Sequence, residues 1–302
     1  MRYELNRRLV NDKQSLPISE KEYKSILLAK KQLHDCYKLT ENYGLVVESY
    51  RAFELAKFEL ELDHMLFSKY AYPDLANAFI KMTTPVTSLL SAFRYFIDTA
   101  PHVLGSLGGK ELALKFKLKT HEIYDSCFEY RFICALRNHV QHEALPLHNY
   151  AIEGYWDTKD PETTDHANSI SLEVWKKRLG QSKKFKRSVL DEMPDKVNLV
   201  FALRVYLSKL SDLYAFMLSS TTKYATKARM VIDKFKSKYT EETGLSDFGL
   251  CVMASDGDQV IAQESVFTDW DDARIKLMEK TKLLKSVHRS YITGKIRKRE
   301  TD

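Results

Sequence analysis

Along most of the chain, apolar residues recur at the three- and four-residue spacing of amphipathic helices, and the interruptions divide it into segments. From Ser19 to Cys36 the pattern runs through Ile26, Leu27 and Leu33 without Gly or Pro, and Ser19 is the expected N-cap. Asn42-Tyr43-Gly44 reads as punctuation, after which Leu45 to Phe67 repeats the pattern through Phe53, Leu55, Phe58, Leu62 and Leu66. Pro73-Asp74 opens a third helical stretch towards Ile97, with a kink or break expected at Pro85, because proline removes a backbone donor and crowds the preceding turn. After Gly105 and Gly108-Gly109, the segment from Lys110 to about Glu143 holds no helix breaker, and Ile123, Cys127, Tyr130 and Cys134 mark one face. Pro146 disfavours helical geometry at Leu145, so this helix is expected to end within a turn of His142.

The period then changes. Ala151 to Trp156 and Ile170 to Val174 alternate like short strands around a polar loop, a β insertion at about 150–178. Helical spacing returns from Pro194 to about Thr240, with a break expected near Ser219-Ser-Thr-Thr222. Leu250 to Ala254 and Gln259 to Phe267 flank Asp256-Gly257, a type I′ hairpin signal, and Asp269 to about Lys285 is helical again. No internal repeat of fixed period is apparent. The predicted fold is mainly α: a helical bundle over 1–245 carrying the β insertion, then a C-terminal β-hairpin and helix with a basic tail over 246–302.

Composition narrows the class without changing the picture. At 302 residues, with 44% hydrophobic and 29% charged residues and only ten glycines and seven prolines, the chain is globular and neither collagen-like nor disordered. Cys36, Cys127, Cys134 and Cys251 form no C-x-x-C pair, so neither a disulfide framework nor a zinc knuckle is indicated and a reducing cytoplasm is expected. The N-terminal charges have no apolar run behind them, so no secretory leader is expected. The apolar stretch from Val86 to Leu107 is interrupted by Arg94, Asp98 and Pro101, and no membrane association is expected.

The formal net charge of +6 matters less than its distribution. Lys176, Lys177, Arg178, Lys183, Lys184, Lys186 and Arg187 fall in twelve residues without an acid, and Lys295, Arg297, Lys298 and Arg299 crowd the C-terminus. The first cluster, with Lys176, Lys177, Arg178, Lys183 and Lys184 foremost, is the candidate RNA-binding segment, and Trp156 and Trp175 stand beside it. A solvated loop is the plainer reading of such a run.

P-loop, nucleophile-elbow, H-E-x-x-H and dinucleotide-binding signatures are all absent. One segment carries chemistry: Leu136-Arg137-Asn138-His139-Val140-Gln141-His142-Glu143. Arg137 is the only arginine followed by a histidine after four to six intervening residues, and asparagine follows it at once. Asn138 and His142, four apart, share a helix face, whereas Arg137 lies about 140° from His142. An imidazole titrating near neutrality suits proton transfer, and a planar, permanently charged guanidinium suits a phosphorane-like transition state. Asn138 would orient the imidazole or donate to phosphate.

This Arg-Asn-x-x-x-His segment late on a long bundle helix resembles the HEPN superfamily over about residues 45–240. The resemblance implies a metal-independent endoribonuclease, without cofactor, in which the substrate's own 2′-hydroxyl attacks. It also implies a homodimer that gathers two Arg137 and two His142 around one cleft. Family members are commonly toxins or antiphage effectors, so an antitoxin or defence-system partner is expected as well. The tyrosine found shortly after the histidine in many HEPN toxins is missing, Ala144 standing two residues on. Other readings stay open: Arg137 and His142 capping helix carbonyls, His139, His142 and His148 ligating a metal, or a non-catalytic module binding RNA, nucleotide or protein.

Overall fold

The structure, a computed structural model, describes residues 1–9, 14–67, 71–156, 166–281 and 283–290, with 153–156 and 166–167 described by backbone only. The basic tail at Lys295, Arg297, Lys298 and Arg299, the side chain of Trp156 and most of the polar loop after it lie outside the described residues.

The fold is mainly α with small β elements. In chain order come β1 (Arg2–Arg7), β2 (Ser15–Pro17), α1 (Glu20–Leu66), α2 (Tyr72–Ser126), α3 (Phe128–His142), β3 (Asn149–Trp156), β4 (His166–Trp175), α4 (Lys176–Leu179), α5 (Arg187–Glu192), β5 (Lys196–Asn198), α6 (Leu199–Thr243), β6 (Leu250–Asp256), β7 (Gln259–Ser265) and α7 (Asp269–Lys280), followed by a 3-10 turn at Val287–Arg289.

α1 starts where the sequence predicts. Ser19 and Glu22 form a capping box, the Glu22 amide donating to Ser19 Oγ (3.2 Å) and the Ser19 amide to Glu22 Oε2 (2.8 Å). The expected stop at Asn42-Tyr43-Gly44 does not occur. Tyr43 stacks on Tyr214 with centroids 3.9 Å apart, and Asn42 Nδ2 donates to Thr99 Oγ1 at 2.9 Å. Such packing outweighs the cost of about 1 kcal/mol for one glycine in a helix. Pro85 does not break α2 either: its neighbours Met82, Val86, Leu89 and Leu90 are buried and hold the helix through it. The interruption in α2 is at Gly109, whose φ of 73° suits glycine.

The single helix expected from Lys110 to about Glu143 is two. Cys127 takes an extended conformation between α2 and α3, although no breaker residue stands there. Arg131 explains the break: its guanidinium donates to the carbonyls of Tyr124 (2.7 Å) and Asp125 (2.8 Å), satisfying the end of α2 that the helix no longer serves. α3 ends at His142, as expected. α6 passes Ser219–Thr222 unbroken: the hydroxyls of Ser219, Thr221 and Thr222 bond carbonyls of their own helix at 2.7–2.9 Å, and burial of Met217, Thr221 and Ala225 holds the segment helical.

The strands form two antiparallel sheets, β2-β1-β6-β7 and β3-β4-β5. The β6–β7 hairpin is present, but only Gly257 of its two turn residues has positive φ, the II′ rather than the I′ pattern. β1 and β2 escaped the sequence reading, since Tyr3 and Leu5 are the only large apolar residues in β1.

The chain divides into two compact units that cut across chain order, one of Met1–Val47, Arg94–Leu118 and Tyr214–Lys282, the other of Glu48–Phe93, Lys119–Leu213 and Leu283–Asp302. The hairpin and α7, expected as a region of their own over 246–302, share a unit with β1. Among the described residues no helix is long and apolar enough to cross a membrane.

Candidate nucleic-acid interface and catalytic motif

α3 is seated in the second unit by its apolar face. Tyr130 stacks on buried Tyr206 (4.5 Å, 15°), Tyr206 meets Phe93 at 4.7 Å, and Ile133 and Leu136 are buried. Arg137, four residues after Ile133 and seven after Tyr130, continues that face and is half-buried. Asn138 and His142 lie on the line of Arg131 and are exposed; among the described residues neither side chain has a hydrogen bond or ion pair. The helix therefore presents His142 and Asn138 to solvent and turns Arg137 aside, as the wheel predicts for one copy.

His139, one turn before His142, has the opposite fate. It is 4% exposed, lies edge-on to Phe185, and holds Ser182 Oγ at 3.0 Å through Nδ1. Ser182 also bonds the Glu143 carboxylate and accepts the amides of Lys184 (3.1 Å) and Phe185 (3.0 Å). The hydroxyl has one proton and the carboxylate is an acceptor only, so His139 Nδ1 carries the hydrogen towards Ser182. The Ser182 hydroxyl and the amides of Lys184 and Lys183, aided by His139, hold the Glu143 carboxyl below the usual carboxylate range. Serine, histidine and glutamate meet here, yet this is no hydrolase triad: Ser182 and Glu143 both face Nδ1, and the imidazole does not stand between them. The cluster is a latch.

What it fastens is the basic run. Of the twelve residues 176–187 only Leu179 and Phe185 are large and apolar, and both are buried, so the charges between them point outward. Lys177, Lys183 and Lys184 are exposed, and among the described residues their side chains have no partner. Arg178 lies over the Trp175 ring at 5.4 Å. Lys176 is a correction to the sequence reading: it is half-buried and its ammonium donates to the carbonyls of Met193 (2.8 Å) and Asp191 (3.3 Å), closing the end of α5 instead of facing solvent. Trp175 is also engaged, its indole N–H donating to Glu173 Oε2 at 2.9 Å.

Arg131, on the His142 line, is a clamp: besides capping α2 it pairs with Glu192 at 2.5 Å. Lys186 adds a second tie, donating to Tyr124 Oη at 2.7 Å. His148 accepts the Trp175 amide at Nδ1 (2.9 Å), and burial, helped by the charges of Arg178 and His139, lowers its pKa to about 4. His139, His142 and His148 do not assemble as a metal set: no group of three His, Cys, Asp or Glu suited to a metal occurs among the described residues.

The arrangement thus ties the segment that carries solvent-facing Lys183 and Lys184 to Glu143, directly after the exposed imidazole of His142. Sequence reasoning found the motif and the basic run but missed the residues that join them. Glu143, four after His139, was a visible signal; nothing local ties Ser182 to a histidine 43 positions earlier. No protein-family model, curated protein or solved structure matches the chain.

Proposed function

We propose that the chain is an endoribonuclease of the HEPN type, independent of metal, that cleaves RNA by attack of the substrate 2′-hydroxyl. His142 transfers the protons, Arg137 stabilises the charge developing on phosphate, and Asn138 orients the imidazole or donates to a phosphate oxygen. One observation carries the reading: the latch of His139, Ser182 and Glu143 fixes the 182–185 stretch beside the exposed end of α3, so a polyanion drawn to Lys183 and Lys184 would meet His142. Because Arg137 turns about 140° from His142 on one helix, the reading requires two copies, each supplying part of the site. In this reading the protein acts in the cytoplasm as a toxin or antiphage effector restrained by a partner.

The same turn of Arg137 favours a second reading, a module that binds RNA through this surface without cutting it. The deciding test incubates the purified protein with RNA in excess EDTA beside the Arg137→Ala and His142→Ala variants. Cleavage by the parent protein and loss in both variants, each with unchanged circular dichroism, supports the nuclease. Binding without cleavage by the parent supports the module, and cleavage that EDTA abolishes contradicts the proposed mechanism.

A further inference from the structure

Within the second unit, β3 and β4 lie against the facing parts of α1 and α2, and the Ile170 amide ties β4 to α1 by donating to Glu61 Oε1 at 3.0 Å. Between them is a cavity of about 180 Å³. Its floor is apolar: Leu60 of α1 and Ile170 of β4 are buried, and Ala78 and Ile152 complete it. Asp74, Asn77 and Ala78 share one face of α2, and Tyr150 and Ile152 share one face of β3, so these side chains converge on a single space. The Asp74 carboxylate, the Asn77 amide and the Tyr150 hydroxyl have no hydrogen bond or ion pair among the described residues. The cation on the same wall is already matched, Lys81 reaching Glu59 at 2.9 Å and Asp63 at 4.0 Å. Asp63 and His64, which also line the cavity, have partners of their own. Burial and the charge of Asp74 raise the Tyr150 phenol, which sets hydroxyl and carboxylate in each other's field.

We propose that this cavity binds a small metabolite that carries a primary ammonium group on an apolar body. Asp74 is half-buried and has no counter-charge among the described residues, and a cation brought out of water beside it supplies one. An ammonium has three donors and no acceptor. The Asp74 carboxylate, the Asn77 carbonyl and the Tyr150 oxygen offer it three acceptors above a floor that takes the apolar body. A neutral hydroxyl in the same place donates to only one of them. The volume holds about six waters at liquid density and falls below the ~300–1,000 Å³ of a drug-sized site. That rules out a nucleotide or a peptide and leaves room for an alkyl or aralkyl amine. The free charge here is opposite to that of Lys183 and Lys184, so the inference goes beyond the nuclease reading and does not require that the chain cleave RNA.

The test is isothermal titration of the full chain at neutral pH with isoamylamine, phenethylamine and putrescine, the two monoamines set beside their alcohols, isoamyl alcohol and 2-phenylethanol. An amine is expected to bind at least about 10-fold more tightly than its alcohol, because the ammonium makes charge-assisted hydrogen bonds. Asp74→Asn keeps the shape and removes the charge, and is expected to lower amine affinity about 10-fold while leaving the alcohol unaffected. Tyr150→Phe removes one acceptor and is expected to lower amine affinity about five-fold, both variants keeping the parent circular dichroism. Ala78→Phe fills the cavity and abolishes binding. Asp98→Asn, at an exposed acid of α2 paired with Arg94, leaves amine affinity unchanged. No amine bound, alcohols bound as tightly as amines, or an amine affinity that Asp74→Asn and Tyr150→Phe leave unmoved overturns the proposal. RNA cleavage is read in a separate assay, so failure of the amine site and failure of the nuclease are told apart.

Discussion

Two histidines one turn apart on α3 have opposite surroundings. His139 is buried and spends its Nδ1 on Ser182, in contact range of Glu143; His142 stands in solvent with no side-chain partner among the described residues. The sequence dipeptides around them are nearly alike, and the difference comes from helix phase: position 139 follows Leu136 and Ala135 onto the buried face, while 142 passes beyond the last packed turn. A histidine with partners holds structure, and one without is available for chemistry. His148 is a third case, half-buried and neutral, supporting the Trp175 amide.

If that division is right, the largest effect belongs to the exposed member. His142→Ala should lower RNA cleavage by about 10²–10⁴-fold. It should change unfolding free energy by no more than about 0.5 kcal/mol, read by chemical denaturation. A large stability loss would place His142 with the structural histidines.

Acid provides the next effect through His148. The native imidazole stays neutral down to about pH 4, whereas the unfolded one takes its proton near 6.5. The unfolded state therefore binds more protons in that window, and stability, full above pH 6.5, falls as pH falls towards 4. At 1.36 kcal/mol per pH unit of separation the loss is at most about 3 kcal/mol. A His148→Gln variant, which keeps an acceptor for the Trp175 amide, should flatten the pH dependence between 6.5 and 4.5; an unchanged slope would assign it to other groups.

The latch comes third. His139→Ala removes a buried ring and a hydrogen bond, and is expected to cost about 2 kcal/mol in denaturant unfolding. It should also raise hydrogen exchange at the Lys184 and Phe185 amides that Ser182 accepts. Exchange left at parent levels would show that the basic run is held by Leu179 and Phe185 alone. The smallest effect is at the lysines: Lys183→Ala and Lys184→Ala should each reduce the salt slope of single-stranded RNA binding by about 0.7, since each removes one phosphate contact. Lys176→Ala should leave that slope unchanged and lower stability instead, because its ammonium closes α5.

Most helices were legible because each keeps its apolar period over many turns; the misjudged points were those where side-chain partners overrule a local signal. Gly44, Pro85 and Ser219–Thr222 read as breaks, yet stacking at Tyr43, burial around Pro85 and burial of Met217, Thr221 and Ala225 along α6 carry the helices through. The real break at Cys127 was illegible because its cause, Arg131 reaching back to Tyr124 and Asp125, is a contact rather than a residue type. At the candidate site the motif and the lysines could be read from spacing and charge. The latch depends on Ser182 meeting His139 across 43 residues, which no local pattern encodes. Lys176 looked like its neighbours in the run, and only the carbonyls at the end of α5 set it apart.

The central claim is that His142 and Arg137 promote attack by the RNA's own 2′-hydroxyl, and the new 3′ ends of cleaved RNA test it most directly. Termini bearing 2′,3′-cyclic phosphate, formed in EDTA by the parent protein and by neither His142→Ala nor Arg137→Ala, are the expected result. Intact RNA, or fragments ending in 3′-hydroxyl, would contradict it.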